Sequence, residues 1–549
     1  MRSRVEAVNR RNVLCVFPHY TPSFGTFAHA YALMGDVKAF MPPQGLLLIA
    51  AYMPETWPVR FVDENIGPAT DADYAWADVV FVSGMHVQAP QIKAIAARAR
   101  AAGKVTVLGG PSVSGCPEWY PDFDYLHVGE MGDATERLIE MLDFSTHRPD
   151  VQVRLETKER LGLTDFPVPA YEKVPLRRYL IGSLQFSSGC PYRCEFCDIP
   201  ALYGRQPRLK TPEQLLGELD AILAQPIRPA VIYFVDDNFI GNRRATKEML
   251  PHLVAWQKKR GYPLQFACEA TLNLAAQPEI MALMREANFM TVFVGIETPE
   301  VESLKAMAKD HNAKQPILES IATLNSYGLE VTSGIILGLD ADTPESEGRL
   351  IAFIEASAVP VLTINLLQAL PRTPLWDRLE RADRLDHDVS LESNVRFLRP
   401  YDEVVASWRR CIAHAYTPER LFARFRHQID QTYRNRPREA MKGQLTLSNL
   451  RRGAIMGYNI AIQVGMKSSY RGVFWRAAWH ALKRGQIEAI FNMGFVAHHL
   501  IRFTQEALEG RHAASFYSAQ AGTPRDGATP DLALATAPRA LPARAAAGG

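Results

Sequence analysis

The sequence has 549 residues, too many for a single hydrophobic core, so two or three domains are expected. Apolar residues make up 47% and charged residues 22%, the balance of a soluble globular protein. Seven cysteines, an odd number, argue against a disulfide framework, and the charged N-terminus does not resemble a signal peptide, so a reducing cytoplasm is the expected compartment. Because no stretch reaches about 18 uncharged apolar residues, no membrane span is expected.

The first predicted domain covers residues 1–143, where short apolar runs alternate with helix-like segments. Strands that alternate with helices predict an α/β fold with a doubly wound, Rossmann-like parallel sheet. The expected strands are Val13–Phe17, Val59–Asp63, Val79–Ser83, Val105–Leu108 and Tyr125–Val128.

Small, flexible residues follow three successive strands of this domain. Each such segment alone is typical of an ordinary turn. Doubly wound sheets, however, bind ligands beyond the carboxyl ends of their strands. Three successive strand ends of this kind therefore predict a ligand-binding edge, made of Ser83-Gly84-Met85-His86, Gly109-Gly110-Pro111 and Gly129-Glu130.

A polar segment at residues 144–180 is predicted to link this domain to a second one at residues 181–400. Six β/α units fit a partial (β/α)6 barrel, whose active site lies at the carboxyl ends of its strands. The expected strands are Leu184–Ser188, Val231–Val235, Leu264–Glu269, Thr291–Ile296, Val331–Leu337 and Val361–Ala369.

Residues 401–515 are predicted to form a helical domain, followed by a disordered tail at residues 516–549. The net charge of the chain is +2, but Arg420 to Arg511 carries 16 Lys and Arg against 5 Asp and Glu. This basic region predicts an anionic partner, which is a membrane surface, a nucleic acid or a phosphorylated substrate. A merely solvated helical face stays open as the alternative.

Two apolar segments of this helical region, Gly453–Met466 and Ala489–Ile501, are too short to cross a bilayer and are flanked by Lys and Arg. Helices of this kind lie in an anionic membrane interface or form the buried core of a small bundle. Trp475 and Trp479, four residues apart, fit either interpretation.

One motif carries metal chemistry: Cys190, Cys194 and Cys197 follow the first strand of the predicted barrel. The Cys-x3-Cys-x2-Cys spacing lets one short loop direct three thiolates inward. Iron–sulfur cubanes usually take four cysteines, so three leave one iron open to a small molecule. A closed zinc site needs a fourth ligand, which Cys268 or a histidine would have to supply. The spacing favours a [4Fe–4S] cluster.

The motif resembles the signature of the radical S-adenosylmethionine (SAM) superfamily. The resemblance implies that the cluster binds SAM and cleaves it to a 5′-deoxyadenosyl radical, which abstracts hydrogen from an unactivated carbon. It also implies SAM contacts, in chain order, from the adenine-flanking Phe196, the strand end Asp236-Asp237-Asn238, Glu297 and the glycine stretch at Gly334 and Gly338.

A doubly wound domain before such a barrel resembles the cobalamin-binding radical SAM subclass. The resemblance implies that cobalamin lies against Ser83, His86, Gly109, Gly110, Gly129 and Glu130. The Asp-x-His-x-x-Gly motif, which supplies a histidine to cobalt in many B12 proteins, is absent. The lower cobalt ligand is therefore open, and His86 is either near the corrin or an ordinary polar residue.

From about Arg178 to Arg436, segments such as Ser183–Cys190, Cys268–Asn273 and Asn365–Pro371 resemble the hopanoid C-2 methylases and their neighbours. The similarity implies a radical SAM C-methyltransferase that acts on C-2 of a hopanoid lipid, supplied with electrons by a flavodoxin or ferredoxin. It further implies a cytoplasmic enzyme in peripheral contact with the inner face of the membrane, with no nucleic-acid partner.

Three alternatives remain. One is a cyclisation or rearrangement on another substrate within the same subclass. A second is an RNA methylthiotransferase-like enzyme, which would need more cysteines in the N-terminal domain than Cys15 and Cys116. The third is a non-enzymatic cobalamin or iron–sulfur protein, which would not require the ordered SAM segments.

Overall fold

The computed structural model describes residues 6–314, 316–386, 391–437 and 447–511, and the predicted tail at 516–549 lies outside them. Two six-stranded parallel sheets are followed by a helical region, so the predicted fold class is confirmed. Within these described ranges, no helix combines the length and the apolar character needed to cross a bilayer. The predicted domain boundaries stay predictions.

The first sheet has the strand order β2-β1-β3-β4-β5-β6, with all neighbours parallel. Val13 and Cys15 of its first strand enter one apolar core, whereas Leu14 and Val16 enter another on the opposite face. Helices therefore cover both faces, as a doubly wound sheet requires. The strands are β1 Val13–Phe17, β2 Val59–Asp63, β3 Val79–Ser83, β4 Val105–Gly109, β5 Tyr125–Val128 and β6 Val153–Glu156.

The strand order changes direction between β1 and β3, and ligands bind at such a switch point. The α-helices of this part are Ala28–Tyr31, Gln44–Tyr52, Asp71–Trp76, Ala89–Ala101, Pro111–Gly115 and Asp133–Phe144. Short 3-10 turns lie at His86–Gln88, Pro117–Trp119, Leu163–Asp165, Tyr171–Lys173 and Leu176–Arg178.

The prediction that residues 144–180 only link two domains is wrong for part of the segment. Val153–Glu156 forms the edge strand β6, and Leu163, Phe166 and Ala170 enter the core of the first sheet. Only one of the four strand residues is buried, so this edge strand lacks the continuous apolar run that marks the other strands in the sequence.

The second sheet has the order β7-β10-β11-β12-β13-β14, in which strands that follow each other along the chain pair side by side. Its sequential parallel order is that of an open (β/α) barrel. The strands are β7 Gly182–Leu184, β10 Val231–Phe234, β11 Gln265–Glu269, β12 Phe289–Glu297, β13 Glu330–Leu337 and β14 Val361–Leu366. A short antiparallel hairpin beside them consists of β8 Ser187–Ser188 and β9 Arg208–Leu209.

Stacked and edge-on rings of Phe234, Phe239, Phe266 and Phe289 fill the core between this sheet and its helices. The helices are Ile199–Leu202, Pro212–Leu223, Arg243–Lys259, Pro278–Glu286, Val301–Ala306, Asp310–Ala313, Ile317–Ser326, Ser346–Ser357 and Pro374–Arg381, with a 3-10 turn at Leu272–Ala276.

Several hydrogen bonds connect the part of the chain that carries the first sheet to the start of the second sheet. Ala39 and Tyr179 form a parallel bridge, and the Ser183 hydroxyl donates to the Pro42 carbonyl at 2.9 Å. The buried Tyr179 hydroxyl donates to the Asp63 carboxylate, at 2.9 Å, at the end of β2. The start of the second sheet is therefore fixed against the ligand-binding side of the first.

The C-terminal region is helical, and its first helix packs on β14, where the Trp408 indole N–H donates to the Ile364 carbonyl at 2.8 Å. Its last helix reaches the first domain, since His499 hydrogen-bonds the Ser23 carbonyl at 2.9 Å. The helices are Tyr401–Ala415, Pro418–Gln431, Leu447–Gln463, Arg471–Lys483, Ile487–Asn492 and His498–Leu508, with a 3-10 turn at Tyr433–Asn435 and a π-helical turn at Met493–Ala497.

The two apolar segments predicted here differ in their environment. Met493, Ala497 and Leu500 of the second segment are completely buried, so it forms the core of the helical region. The first segment exposes Ile455 and Tyr458 to solvent. The bundle-core interpretation therefore holds for Ala489–Ile501 and for one side of Gly453–Met466, which buries Ile460 and Val464.

Candidate functional site

The cysteine loop leaves the end of β8 at Ser188, where the end of β10 supports it. Both Asp236 carboxylate oxygens accept backbone N–H groups, from Phe186 at 3.1 Å and from Ser187. The Asp237 carboxylate accepts the N–H of Gly189, the residue before Cys190, at 2.6 Å. These two carboxylates contact the backbone of the loop, and their predicted contact with SAM stays a prediction.

A second anchor lies at the other end of the loop. The Glu195 carboxylate accepts two hydrogen bonds from the Arg378 guanidinium, at 2.5 and 3.1 Å. Arg378 also pairs with Asp340 at 2.6 Å. The backbone around Cys194 and Cys197 is therefore held by charge-assisted contacts that the spacing of the cysteines does not reveal.

The three thiols are half-buried, and burial raises the pKa of each of them. For Cys194 the positive charge of Lys309 opposes that rise, and for Cys190 the backbone N–H of Tyr192 and the Asn238 side chain oppose it. Since only thiolates bind metal, cluster binding at this loop must release protons.

The zinc alternative is not supported. Within the described ranges, no group of three His, Cys, Asp or Glu side chains is arranged so that it could hold one metal ion. A cubane spreads its thiolates over different irons, so it does not need that arrangement. Cys268 is completely buried in the apolar core of the second sheet, where it is unavailable as a fourth ligand. Cys15 and Cys116 are buried in the first domain.

Lys309 is a site residue that sequence reasoning missed. Its ammonium group lies 2.5 Å from a Glu297 carboxylate oxygen, and both side chains are almost fully buried, at 7% and 10% exposure. The same ammonium lies 5.4 Å from the centre of the Phe196 ring, within the cysteine loop. Burial lowers the pKa of Lys309, but the charges of Glu297 and Cys194 raise it more, so its pKa is above the usual value.

The end of β12 is shaped around this ion pair. Glu297 adopts a φ of 67°, in the left-handed region that non-glycine residues rarely occupy. A Cβ atom on Gly295 would meet the Glu297 carboxylate and the Lys309 ammonium. Glu297 therefore lies where the sequence places it, at the carboxyl end of its strand, but it faces a cation of the chain itself.

The two predicted glycines of β13 lie on either side of this region. A Cβ on Gly334 would lie 3.5 Å from a Glu297 carboxylate oxygen. Gly338 has a φ of 87°, and the Phe397 ring fills the space next to its Cα. The structure thus brings Gly334 to the ion pair, whereas Gly338 borders an aromatic side chain that the sequence did not indicate.

A cleft between the two sheets contains a cavity of about 300 Å³, within about 1310 Å³ of empty space that is partly open to solvent. The predicted glycine edge forms one wall, and the loop after β8 and the end of β10 form the other. Among its lining residues are the predicted Ser83, Gly109, Gly110, Gly129, Glu130 and Asp237, together with Gln44, Gln185, Ser188 and Tyr203.

Glycine backbone makes this wall close-fitting. Gly110 and Gly129 have φ angles of 93° and 99°, and a Cβ on Gly110 would collide with the Ser83 hydroxyl. The buried side-chain amide nitrogen of Gln44, which lines the cleft, has no hydrogen-bond partner in the described structure. An unpaired donor beside exposed backbone fits a large ligand rich in hydrogen-bond acceptors, such as the amide-bearing corrin ring.

Glu130 connects the two walls. Its carboxylate pairs with Arg208 of β9 at 2.7 Å and with Arg160 at 3.0 Å, and the Ser188 hydroxyl donates to it at 3.3 Å. The sequence placed Glu130 at the ligand edge, and it does line the cleft. Its carboxylate nevertheless binds Arg208 and Ser188 of the opposite wall as well as Arg160 of its own side, so it joins the two sheets.

The structure places His86 behind the glycine wall and not among the residues that line the cleft. Its ring packs against Trp119, and a Cβ on Gly115 would touch it. Burial lowers the pKa of His86 to about 4, so the imidazole is neutral at pH 7. The histidine on the cleft wall is His127, which hydrogen-bonds Thr135 at 2.9 Å and whose pKa burial lowers to about 4.

Glu269 is a second site residue that was missed. It ends β11 on the face opposite the core residues Phe266 and Cys268, and the Tyr233 hydroxyl donates to it at 3.2 Å. Its side chain is exposed to the open space inside the barrel, but desolvation by the surrounding protein, followed by the charge of Asp237, raises its pKa to about 7. An acidic residue at a barrel strand end is the same signal that identified Asp236, so the sequence contained it.

Three family descriptions match consecutive parts of the chain. Residues 31–139 match the B12 binding domain, residues 184–354 match the Radical SAM superfamily, and residues 373–513 match a domain of unknown function, DUF4070. The chain is 59% identical to the hopanoid C-2 methylase of Rhodopseudomonas palustris (strain TIE-1) over 508 residues. This alignment covers 92% of this chain and 96% of that protein.

Two solved structures share the fold. TsrM from Kitasatospora setae, a radical SAM methyltransferase solved with tryptophan and a SAM analogue, has a TM-score of 0.55 and 17% identity over 82% of this chain and 99% of that one. OxsB, solved with aqua-cobalamin and SAM, has a TM-score of 0.57 and 15% identity over 93% of this chain and 83% of that one. The predicted cofactors, a [4Fe–4S] cluster, SAM and cobalamin, are confirmed.

Proposed function

The chain belongs to the family of the hopanoid C-2 methylase and is a radical SAM methyltransferase with a B12-binding domain, and from this premise we propose that it methylates C-2 of a hopanoid. The observation that carries the proposal is the cleft shared by the two sheets. Asp237 lines this cleft and also holds Gly189, next to Cys190. One residue thus connects the cleft to the cysteine loop.

In this proposal Cys190, Cys194 and Cys197 hold the cluster, and SAM lies among Phe196, the strand ends of the barrel and the pair of Glu297 and Lys309. When bound, the cluster with SAM supplies a 5′-deoxyadenosyl radical and cobalamin supplies the methyl group. The residues of the chain would orient these groups, and the glycine wall with Gln44 would hold cobalamin in the cleft beside the barrel.

Since hydrogen abstraction and methyl transfer need no general base at the substrate carbon, Glu269 and Tyr233 have a positioning role in this proposal. They face the interior of the barrel, where the substrate carbon must come close to both cofactors. A raised carboxyl pKa also limits the number of fixed charges beside a largely apolar substrate.

The substrate is tested by deleting the gene and analysing the hopanoids of the strain by mass spectrometry. Loss of 2-methylated hopanoid is expected, with restoration by the wild-type chain but not by Cys194→Ala. Unchanged hopanoids in the deletion strain would overturn the substrate. Failure of the anaerobically reconstituted protein to form 5′-deoxyadenosine from SAM would overturn the radical reaction itself.

We also propose that the enzyme contacts the membrane surface through the helices Leu447–Gln463 and Arg471–Lys483. Eight of the sixteen exposed large apolar side chains in the described ranges lie between residues 450 and 487. Lys and Arg surround them, as in helices that lie in an anionic interface. The eight are Leu450, Ile455, Tyr458, Met466, Trp475, Trp479, Leu482 and Ile487.

Sedimentation with phosphatidylglycerol-containing vesicles tests this contact. The double variant Tyr458→Ser/Trp479→Ser should lower the bound fraction several-fold, because both side chains are more than half exposed. Phe144→Ser/Val151→Ser, which removes two even more exposed apolar side chains far from these helices in the sequence, is the matched control. Equal binding by both double variants and the wild type would contradict the proposal.

A further inference from the structure

A second, separate cavity of about 810 Å³ lies outside the cleft and shares no lining residue with it. The residues Pro191, Tyr192 and Arg193, between Cys190 and Cys194, form part of its wall. This side of the cysteine loop is therefore separate from the cobalamin cleft, which none of the residues from Cys190 to Cys197 lines.

Four cations ring this outer cavity: Arg193, Arg205, Arg243 and Lys314. All four are exposed, and within the described ranges none is paired with a carboxylate. Asp310 is the single acidic residue that lines the cavity. Burial and the charge of Lys309 lower the pKa of the neighbouring His311 to about 4, so its ring adds no charge at pH 7. The cavity thus carries an excess of three positive charges.

The floor of the cavity is rigid and aromatic. The rings of Tyr192 and His311 stack with centroids 3.8 Å apart, and the Asn273 amide donates to the Tyr192 hydroxyl at 2.6 Å. The Arg205 guanidinium donates to the Pro191 carbonyl at 3.2 Å. A molecule bound here contacts the cysteine loop itself, because Pro191 directly follows Cys190 and Arg193 directly precedes Cys194.

We infer that this outer face is the docking surface for an acidic one-electron carrier protein of the flavodoxin or ferredoxin type. The inference rests on the proposed function, since only a cluster that must be reduced needs a carrier. The carrier loses one electron to the cluster through the loop, and no bond forms or breaks. Unpaired cations at the rim attract an acidic partner and accelerate its docking.

The lining of the outer cavity favours a protein over a lipid surface. It contains no Leu, Ile, Val, Met, Phe or Trp, so it offers nothing to insert into a bilayer. The exposed apolar side chains of the chain cluster instead on the helices Leu447–Gln463 and Arg471–Lys483. The two faces are therefore assigned to different partners.

The test uses the double variant Arg243→Glu/Lys314→Glu, which reverses two rim charges without touching the cysteine loop. Arg243 is the first residue of its helix, where a glutamate also suits the helix dipole. The matched control is Arg244→Glu/Lys305→Glu, with the same change of charge at two exposed residues that do not line the cavity.

Affinity for a bacterial flavodoxin and for a bacterial [4Fe–4S] ferredoxin is measured by calorimetry on the full chain, with and without reconstituted cluster. At low salt the double variant should bind the carrier at least tenfold more weakly than the wild type and the control, and the difference should shrink at high salt. Carrier-driven formation of 5′-deoxyadenosine should fall at least tenfold, whereas formation driven by dithionite should be unchanged.

Wild-type affinity of the double variant for both carriers would overturn the docking surface. Loss of vesicle binding with unchanged carrier binding would assign the face to lipid and overturn it as well. If dithionite produces no 5′-deoxyadenosine with the wild type, the proposed function fails, and the calorimetric result still decides the docking surface.

Discussion

The two parallel sheets present different carboxyl edges to the cleft. The edge of the first sheet consists of backbone and small side chains, with Gly110 and Gly129 in conformations that suit glycine. The edge of the second sheet carries ionisable groups, including Asp237, Glu269 and the buried pair of Glu297 and Lys309. The first edge therefore leaves space next to the backbone, whereas the second edge presents ionisable side chains.

This difference fits the cofactors that each edge is proposed to hold. A large, preformed cofactor needs room and hydrogen-bond partners, so side chains are removed from its path. A cluster that binds a charged cosubstrate needs ordered thiolates and a controlled local charge, so carboxylates and a lysine are brought in. Substitutions on the two edges should therefore impair different properties of the protein, which are cobalamin binding at the first edge and stability with iron content at the second.

The largest effect is expected from Lys309→Met on the charged edge. The variant leaves the Glu297 carboxylate buried without its cation, which should lower the free energy of unfolding by about 3–5 kcal/mol. Urea denaturation of the apo-protein measures this, and iron content after reconstitution should fall with it. Lys305→Met, at a 54% exposed lysine paired with Glu302, is the control and should change little. Equal stability of the two variants would show that the pair is not essential to this edge.

Gly110→Ala should have the next largest effect, on the glycine edge. The φ of 93° strains alanine, and its Cβ would collide with the Ser83 hydroxyl, so a cost of about 1–3 kcal/mol is expected. Binding of hydroxocobalamin, followed by absorbance, should weaken at least tenfold while iron content is retained. Gly67→Ala, at a glycine of the same domain with open space around it, should bind normally. Normal binding by Gly110→Ala would refute the shape argument.

Glu130→Gln tests the contact between the edges. The glutamine keeps an acceptor but loses the charge opposite Arg160 and Arg208, so the free energy of unfolding should fall by about 1.5 kcal/mol. Glu156→Gln removes a comparable but exposed partner, that of Arg154, and should cost less. If thermal denaturation shows the same loss for both, Glu130 does not fasten the two sheets together.

The smallest effect is a pH dependence from the first sheet. Burial lowers the pKa of His127 to about 4, so between about pH 6.5 and 4 the unfolded chain binds a proton that the folded chain does not. The free energy of unfolding should therefore decrease as the pH is lowered through that window. At pH 5.5 the loss from this residue should be about 1 kcal/mol. His127→Gln should lose less stability than the wild type between pH 7.5 and 5.5 in urea titrations. The exposed His147→Gln should behave like the wild type, and so would His127→Gln if the prediction is wrong.

Much of the site was readable from local patterns. The cysteine spacing, the acidic end of β10 and the glycines after β4 and β5 are short-range signals. The structure brings Asp237 and the glycines to one cleft, and Asp237 holds the start of the cysteine loop next to it. Glu269 carried the same signal as Asp236 but was not interpreted. His86 shows the limit of such reasoning, because a loop position does not say on which side of the wall a ring packs.

Other features have no local signal. Lys309 lies 12 residues beyond Glu297, and nothing in the intervening sequence indicates that their side chains meet. Edge strand β6 is half polar, because only one of its faces has a core to enter. The outer basic cavity combines residues from four separate segments, so its excess of positive charge exists only after folding.

The sequence by itself determined the fold class and the family and predicted the cluster ligands, because periodicity, strand-end chemistry and cysteine spacing act over a few residues. Only the tertiary structure decided which groups face each other. It showed that the apolar segment Ala489–Ile501 is buried, whereas the helix Leu447–Gln463 exposes apolar side chains on part of its surface. It also paired Lys309 with Glu297 and brought Glu130 to Arg208 across the cleft. The physical reason is that burial and pairing are properties of neighbours in space, and the chain chooses those neighbours only when its sheets and helices pack.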